Sequence, residues 1–290
     1  MNKVAIVTDS NSGISQENAQ QLGLYVLPMP FNINSDTYYE DISLSREEFY
    51  KYLEGDADIM TSQPSIDAVL SLWDGLLEEY DQVVHIPMSS GLSGSCDTAL
   101  ALARDYEGKV FVVNNQRISV TLRQSALNAL LLAKEGKTGE EILRILEEQR
   151  LDATIYLVLD TLKYLKKGGR VTPAAAALGT ILRIKPVLQI QGDKLDAFAK
   201  ARTIKQAKSI MIDAVKKDIE RRFQVDGSPE NIEVWIAHSN NKEAAEEFKE
   251  ELQTVFPGHD IMIADISLSV ACHTGPGILA VACAKRMRCV

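Results

Sequence analysis

Ser65-Ile66-Asp67-Ala68-Val69-Leu70-Ser71-Leu72-Trp73-Asp74-Gly75-Leu76-Leu77, then Val83-Val84-His85-Ile86, then Ser89-Ser90-Gly91-Leu92-Ser93-Gly94-Ser95, set a helix pattern, a strand pattern and a turn in succession. Ile66, Val69, Leu70, Trp73, Leu76 and Leu77 recur at intervals of three and four, the spacing of one apolar helix face, and Ser65 after Pro64 is the expected N-cap. Val83 to Ile86 is short and β-branched, which reads as a buried strand. Working outward, Val4 to Thr8, Val110 to Val113 and Ile155 to Leu159 have the same character. Thr138 and Glu141 make a capping box ahead of Ile142, Ile145 and Leu146. Strands alternating with helices predict a largely parallel sheet covered on both faces.

Beyond about residue 155 the pattern changes. A Gly-Gly turn and an alanine-rich run occupy Gly168 to Leu178, two short strands fall around Lys185 to Phe198, and a long basic helix starts near Thr203. Ile232 to Ala237 and Ile261 to Ile266 read as strands, and a final helix is expected from about Gly277. The expectation is two α/β domains, residues 1–155 and 156–290, with the boundary falling near 150 to 158. The first has a mostly parallel, Rossmann-like sheet with helices on both faces, and the second a mixed sheet. A chain of 290 residues suits two domains and buries enough surface to need no disulfide staples. Cys96, Cys272, Cys283 and Cys289 show no C-x-x-C spacing and are expected as reduced, mostly buried thiols. Met1-Asn2-Lys3 runs straight into a strand, and no apolar run reaches membrane-spanning length, so a cytoplasmic protein is expected.

Net charge is −9, which disfavours general binding to nucleic acid or anionic membranes. The charge is uneven, however. Lys163, Lys166, Lys167, Arg170, Arg183, Lys185, Lys194, Lys200, Arg202, Lys205 and Lys208 face only Asp193 and Asp196 within the same stretch, a local +9 that leaves −18 elsewhere. Solvated helix faces account for part of this, and a surface for an anion or an acidic partner is the sharper reading.

Three Ser/Thr-rich turns stand at strand ends or helix starts: Thr8-Asp9-Ser10-Asn11-Ser12, Thr61-Ser62-Gln63-Pro64-Ser65, and the Ser89–Ser95 turn. In an open α/β sheet such edges gather free N–H groups suited to an anionic oxygen. Capping explains one hydroxyl per helix. Four serines and two glycines within Ser89–Ser95 exceed what a cap needs, so this turn is the best candidate for ligand contact. Arg170, closing Lys166-Lys167-Gly168-Gly169-Arg170, is a planar donor able to grip a carboxylate or phosphate, and an exposed turn arginine is the plainer alternative. His273, in His273-Thr274-Gly275-Pro276-Gly277, stands at a Gly-rich helix entry, as an acid/base or a structural hydrogen-bonding residue. His85 and His259 read as structural. No nucleotide-phosphate loop, dinucleotide fingerprint or zinc-protease motif occurs, so no cofactor and no catalytic metal is expected.

Taken together and in order, Ile6-Val7-Thr8-Asp9-Ser10, Thr61-Ser62-Gln63-Pro64-Ser65, Ser89-Ser90-Gly91-Leu92-Ser93-Gly94, Lys167-Gly168-Gly169-Arg170 and His273-Thr274-Gly275-Pro276-Gly277 resemble the DegV family over essentially the whole chain. The resemblance implies a non-enzymatic protein with a long-chain fatty acid in a tunnel between two domains. It also implies a separate ATP-using fatty acid kinase subunit, which would receive the acid and release acyl phosphate for phospholipid synthesis. By the same likeness Thr61 and Ser93 hold the carboxylate, with Ser62, Gly94 and His273 near the head group and Arg170 and Arg202 facing the kinase. About fourteen buried methylenes at ~0.8 kcal/mol each would supply affinity on the order of 10 kcal/mol before ordering costs, leaving the polar contacts to orient the head group.

One stretch departs from the family. Where an Asp-Ser pair and a glycine-containing helix entry are usual, this chain reads Asn114-Asn115-Gln116-Arg117-Ile118-Ser119-Val120-Thr121-Leu122-Arg123. The added bulk is expected to alter the tunnel if this helix lines it. The competing reading is a serine hydrolase acting on acyl esters, with Ser93 as nucleophile, His273 as base and Asp9 as its orienter, although Gly91-Leu92-Ser93-Gly94-Ser95 only approximates a nucleophile elbow. A lipid-sensing signalling protein is a third class, and direct DNA binding by it is disfavoured by the acidic charge and the lack of a basic recognition helix.

Overall fold

A computed structural model describes residues 2–55, 57–170, 172–178 and 184–287. Arg183 of the basic segment and Cys289 lie outside the described residues. The chain divides into two compact units between Arg150 and Leu151.

In the first unit, strands β1 (Val4–Asp9), β2 (Tyr25–Leu27), β6 (Gln82–Ile86) and β7 (Val110–Val112) form a parallel sheet in the order β2-β1-β6-β7. Ala5, Val7, Val83, Val110 and Val112 point into a core shared with Val69, Trp73 and Leu76 of helix α3 (Ile66–Leu77) and Ala99 of α4 (Ser95–Leu102). Helices α5 (Ser119–Lys134) and α6 (Gly139–Glu148) also pack on the sheet, α6 against Phe111 of β7. Strands covered on both faces must be apolar throughout, which is why they appear in sequence as short unbroken runs.

The expected caps form. Ser65 Oγ accepts the Ala68 N–H at 3.1 Å, and Thr138 and Glu141 complete a capping box. Helix α1 (Gln16–Leu22) precedes β2, and a small antiparallel sheet then follows in the order β4-β3-β5, from β3 (Pro30–Ile33), β4 (Asp36–Tyr39) and β5 (Ile59–Thr61). Helix α2 (Arg46–Glu54) covers it, Phe49 meeting Phe31 edge-on at 5.5 Å. The consequence for the site is that Thr61 sits at the last pairing position of β5, opposite Phe31.

The second unit is built on a mixed sheet in the order β10-β9-β8-β13-β11-β12. Its strands are β8 (Ala153–Val158), β9 (Lys185–Ile190), β10 (Leu195–Ala201), β11 (Ile232–Ser239), β12 (Met262–Asp265) and β13 (Ile278–Lys285), and only β11 and β12 run parallel. Helices α7 (Lys163–Gly168) and α8 (Pro173–Leu178) lie between β8 and β9 in sequence. Helices α9 (Ile204–Asp218) and α10 (Lys242–Val255) contribute Met211, Val215, Phe248 and Leu252 to a core with Tyr156, Val234, Val281 and Cys283. Among the described cysteines, Cys96 and Cys283 are buried free thiols and Cys272 is half-buried.

Two expectations are corrected here. The segment from Ile155, read in sequence with the strands of a largely parallel sheet, is antiparallel to both its neighbours, and as part of β8 it belongs to the second unit. The final helix expected from Gly277 is strand β13, because Leu279, Val281 and Cys283 face the helical core while alanines alternate with them between two partner strands. Alanine favours helix locally, and pairing on both edges overrides it. The helix at this point is instead α11 (Leu268–Thr274), which precedes the glycines.

Candidate functional site

The Ser89–Ser95 turn connects β6 to α4. Its backbone is wound tightly: the Ser89 carbonyl accepts from Leu92 and Ser93 N–H at 3.0 and 3.1 Å, and Ser93 Oγ accepts from Ser95 N–H at 3.2 Å. Ser93 is half-buried, Gly94 is exposed, and Ser95 is buried. One outside segment, residues 114–117, braces the turn at two points. The Ser89 N–H donates to the Arg117 carbonyl at 2.9 Å, and the Asn114 amide donates to Ser90 Oγ at 2.9 Å.

Thr61 and Ser62 lead from β5 towards the cap of α3, Thr61 half-buried and Ser62 exposed, with the Ser62 N–H on the Pro30 carbonyl at 3.3 Å. Gln63 ties this turn to the other. Its Oε1 accepts the Thr98 hydroxyl of α4 at 3.1 Å and lies 3.4 Å from where a Cβ on Gly94 would stand. Two hydroxyl-bearing turns 32 residues apart in the chain (Thr61 and Ser93) are thereby joined at one end of the first unit. Gln63 was legible only as part of a motif; neither its side chain nor Thr98 carried a sequence signal.

Behind the turns lies a small, partly open cavity of about 10 Å³, lined by Asp9, Gln63, His85, Ser95 and Thr98 among others. Its size admits at most one water. Burial holds the His85 imidazole at about 4, so the ring is neutral near pH 7, and Trp73 meets it edge-on at 5.7 Å. The Ser95 hydroxyl and both His85 nitrogens have no protein partner. Asp9 directs its two oxygens to the backbone N–H groups of Asn11 and Met88, at 2.9 and 2.7 Å. Both of its oxygens therefore serve backbone N–H groups.

The departing segment is absorbed by unusual backbone. Gln116 and Ser119 adopt φ of 58° and 55°, the left-handed region that glycine would occupy without cost. Arg117 is buried, donating to Ser125 Oγ at 3.2 Å and to the Gln149 carbonyl at 2.6 Å. This segment's links to the sequence-predicted site are the Arg117 carbonyl that accepts the Ser89 N–H and the Asn114 amide that donates to Ser90 Oγ.

In the second unit, His273 belongs to the last turn of α11, not to a helix entry. The end of α7 packs directly on its imidazole: a Cβ on Gly168 would fall 2.2 Å from His273 Nδ1, so only glycine fits. Gly275, at φ 75°, admits the Tyr164 ring in the same way. Burial first, and then the charge of Arg170, hold the His273 imidazole down to about 4, so it is neutral at physiological pH. Arg170 is exposed and donates to the Gly168 carbonyl at 2.5 Å. Arg202 is exposed where β10 gives way to α9, its backbone N–H on Gln206 Oε1 at 2.8 Å. Among the described residues no cluster of His, Cys, Asp and Glu has the makings of a metal site, and no helix is long and apolar enough to cross a membrane.

A parallel α/β unit with hydroxyl-rich turns at one end, followed by a mixed-sheet unit with a glycine-packed histidine, defines the class of protein. The family model described as "Uncharacterised protein, DegV family" matches residues 3–286, and the chain belongs to the DegV family. A DegV domain-containing protein of Staphylococcus aureus is 29% identical over 99% of this chain and 100% of its own length. Among solved structures, a fatty-acid-binding DegV family protein from Thermus thermophilus superposes with a TM-score of 0.88 at 29% identity, covering 98% of this chain and 100% of that one. DegV of Bacillus subtilis, a fatty acid binding protein, gives 0.86 at 29% identity, covering 99% and 100%.

Proposed function

We propose that this chain binds a long-chain fatty acid and presents it to a separate ATP-dependent fatty acid kinase subunit, without catalysing a reaction itself. Thr61 and Ser93 hold the carboxylate, Ser62 and Gly94 border it, and the acyl chain occupies the apolar tunnel that the family resemblance implies. The observation that supports this most is the joining of the Thr61 and Ser93 turns through Gln63 and Thr98, in a chain matching two fatty-acid-binding structures over nearly its full length.

The chemistry divides naturally. A carboxylate needs several donors in a partly desolvated place, and hydroxyls with adjacent backbone N–H groups supply them without a counter-charge that would lock the acid in. Neutral His273 adds a donor or an acceptor near the head group rather than a cation. Arg170 and Arg202 are exposed charges that would face an acidic or phosphate-bearing partner. The test is lipid content. The Thr61→Ala, Ser93→Ala double variant should keep the wild-type circular dichroism and melting curve while retaining much less fatty acid after purification; unchanged lipid content contradicts the assignment.

A further inference from the structure

Asp9 closes β1 with its side chain inside the protein, 1% exposed. One carboxylate oxygen accepts the Asn11 N–H and the other the Met88 N–H, across 79 residues of chain. Among short side chains only a carboxylate offers two acceptor oxygens; an amide of the same shape has one. Met88 immediately precedes Ser89, whose carbonyl receives the Leu92 and Ser93 N–H groups. The placement of Ser93 is thus referred to the Asp9 carboxylate through two hydrogen bonds joined by the Met88–Ser89 peptide link.

The surroundings do little to favour a charge there. Burial pushes the Asp9 carboxyl up to about 6, and the bonds from Met88 and Asn11 offset this only in part. Titratable neighbours are His85 of β6, which shares its cavity, and Cys96 of α4, whose thiol burial pushes up to about 12; both are neutral at pH 7. Helix α5, packed on β1 and on the turn after it, carries the half-buried Arg123 and follows Arg117, whose guanidinium donates to Ser125 and Gln149. Glu147 of α6 accepts the Asn114 N–H at 3.1 Å. A buried carboxyl kept at such a cost to its charged form is one that geometry requires.

We propose that ionised Asp9 is the positioning residue of the head-group turn: by accepting the Met88 N–H it fixes Ser93 for a carboxylate ligand, and taking up a proton releases that hold. On protonation one oxygen becomes a hydroxyl donor facing an N–H donor, so Met88 or Asn11 loses its acceptor. The inference rests on the assignment of Ser93 to the carboxylate made above.

The experiment measures binding of a fluorescent long-chain fatty acid to delipidated wild type, Asp9→Asn and Ser93→Ala between pH 7.5 and 5.0. At pH 7.5 Asp9→Asn should bind on the order of tenfold more weakly than wild type. The gap should close as the pH falls, because only wild type loses the carboxylate while the ligand's own titration is common to both. Equal affinities at pH 7.5, or a gap that does not change with pH, overturns the proposal. Should Asp9→Asn not fold, amide exchange in wild type decides. Protection at Met88 and Ser93, relative to β13 and corrected for intrinsic rates, should be lower at pH 5.0 than at 7.5, and constant protection overturns the proposal. If Ser93→Ala binds like wild type, the carboxylate assignment is what fails, and the same amide exchange still tests the hold of Asp9 on the turn.

Discussion

Gln63 Oε1 accepts the Thr98 hydroxyl at 3.1 Å, and through this contact the end of the small antiparallel sheet is fastened to the first turns of α4. Thr61 lies two residues before Gln63, and Ser93 five before Thr98. For the two hydroxyls to serve one carboxylate, as proposed above, the two turns must keep a fixed spacing, and the Gln63–Thr98 bond is what would hold it.

Gln63→Ala should therefore weaken fatty acid binding by about threefold, the worth of one exposed hydrogen bond, with little change in melting temperature. Affinity and thermal unfolding measured on the same preparation check this. A large loss of stability with unchanged affinity would show that the contact serves the fold alone.

Gly168 and His273 should behave as one unit. The Cβ of Gly168→Ala would stand 2.2 Å from His273 Nδ1, so the variant should lose about 1 to 3 kcal/mol of stability by overpacking. Adding His273→Ala should restore most of that loss. Urea unfolding of the two single variants and the double variant measures the coupling, and strictly additive effects would contradict direct packing.

Acid should destabilise the first unit through His85. Unfolded, its ring takes a proton near 6.5, whereas the folded ring stays neutral down to about 4. The folded pKa is depressed, so stability is lost as pH falls through 6.5 and the loss is complete near 4. Asp9 works in the opposite sense: its raised pKa adds stability as pH falls through about 6 towards 3.8. Between pH 7 and 5 the His85 contribution is roughly 2 kcal/mol. His85→Leu should thus lose less stability than wild type over that interval by about this amount, as measured by urea unfolding at the two pH values.

Arg170→Ala and Arg202→Ala should separate binding from delivery. Both variants should copurify with wild-type amounts of lipid yet support slower acyl phosphate formation by an ATP-dependent fatty acid kinase subunit. Rates equal to wild type would remove the docking role.

Much of the fold could be read from the chain because its signals are local. Ser65 caps α3 and Thr138 with Glu141 caps α6, as their spacing requires. The strands Val4–Asp9 and Gln82–Ile86 are recognisable by the apolar stretches Val4 to Val7 and Val83-Val84 because both faces are covered. The second unit was less legible. Ile278–Lys285 carries alternating alanines that mimic a helix, and what makes it a strand is pairing with residues 39 to 53 and 121 to 131 positions away. Helix α11 has seven residues and no side-chain cap bond, so nothing local announced it.

The site shows the same division. The Ser89–Ser95 turn stood out by composition and the family resemblance singled out Thr61 and Ser93, whereas the contacts that organise those turns gave no sign in the sequence. Gln63 with Thr98, Asp9 with Met88, and Asn114 with Ser90 link residues 35, 79 and 24 positions apart. Such pairings have no periodicity, and they appear only once the strands have been brought side by side. His273 was singled out for its glycine-rich neighbourhood, and the glycines proved to be there for packing: Gly168 against the imidazole and Gly275 against Tyr164.

The most direct test of the account is mass spectrometry of the organic extract from the purified, denatured protein, with an unrelated protein purified alongside as the blank. A long-chain fatty acid in near-stoichiometric amount, absent from the blank, is the predicted result, and its length would show how the bulky 114–123 segment shapes the space for the acyl chain. A fatty acid content no greater than the blank's, in protein that also fails to take up added long-chain fatty acid, would contradict it.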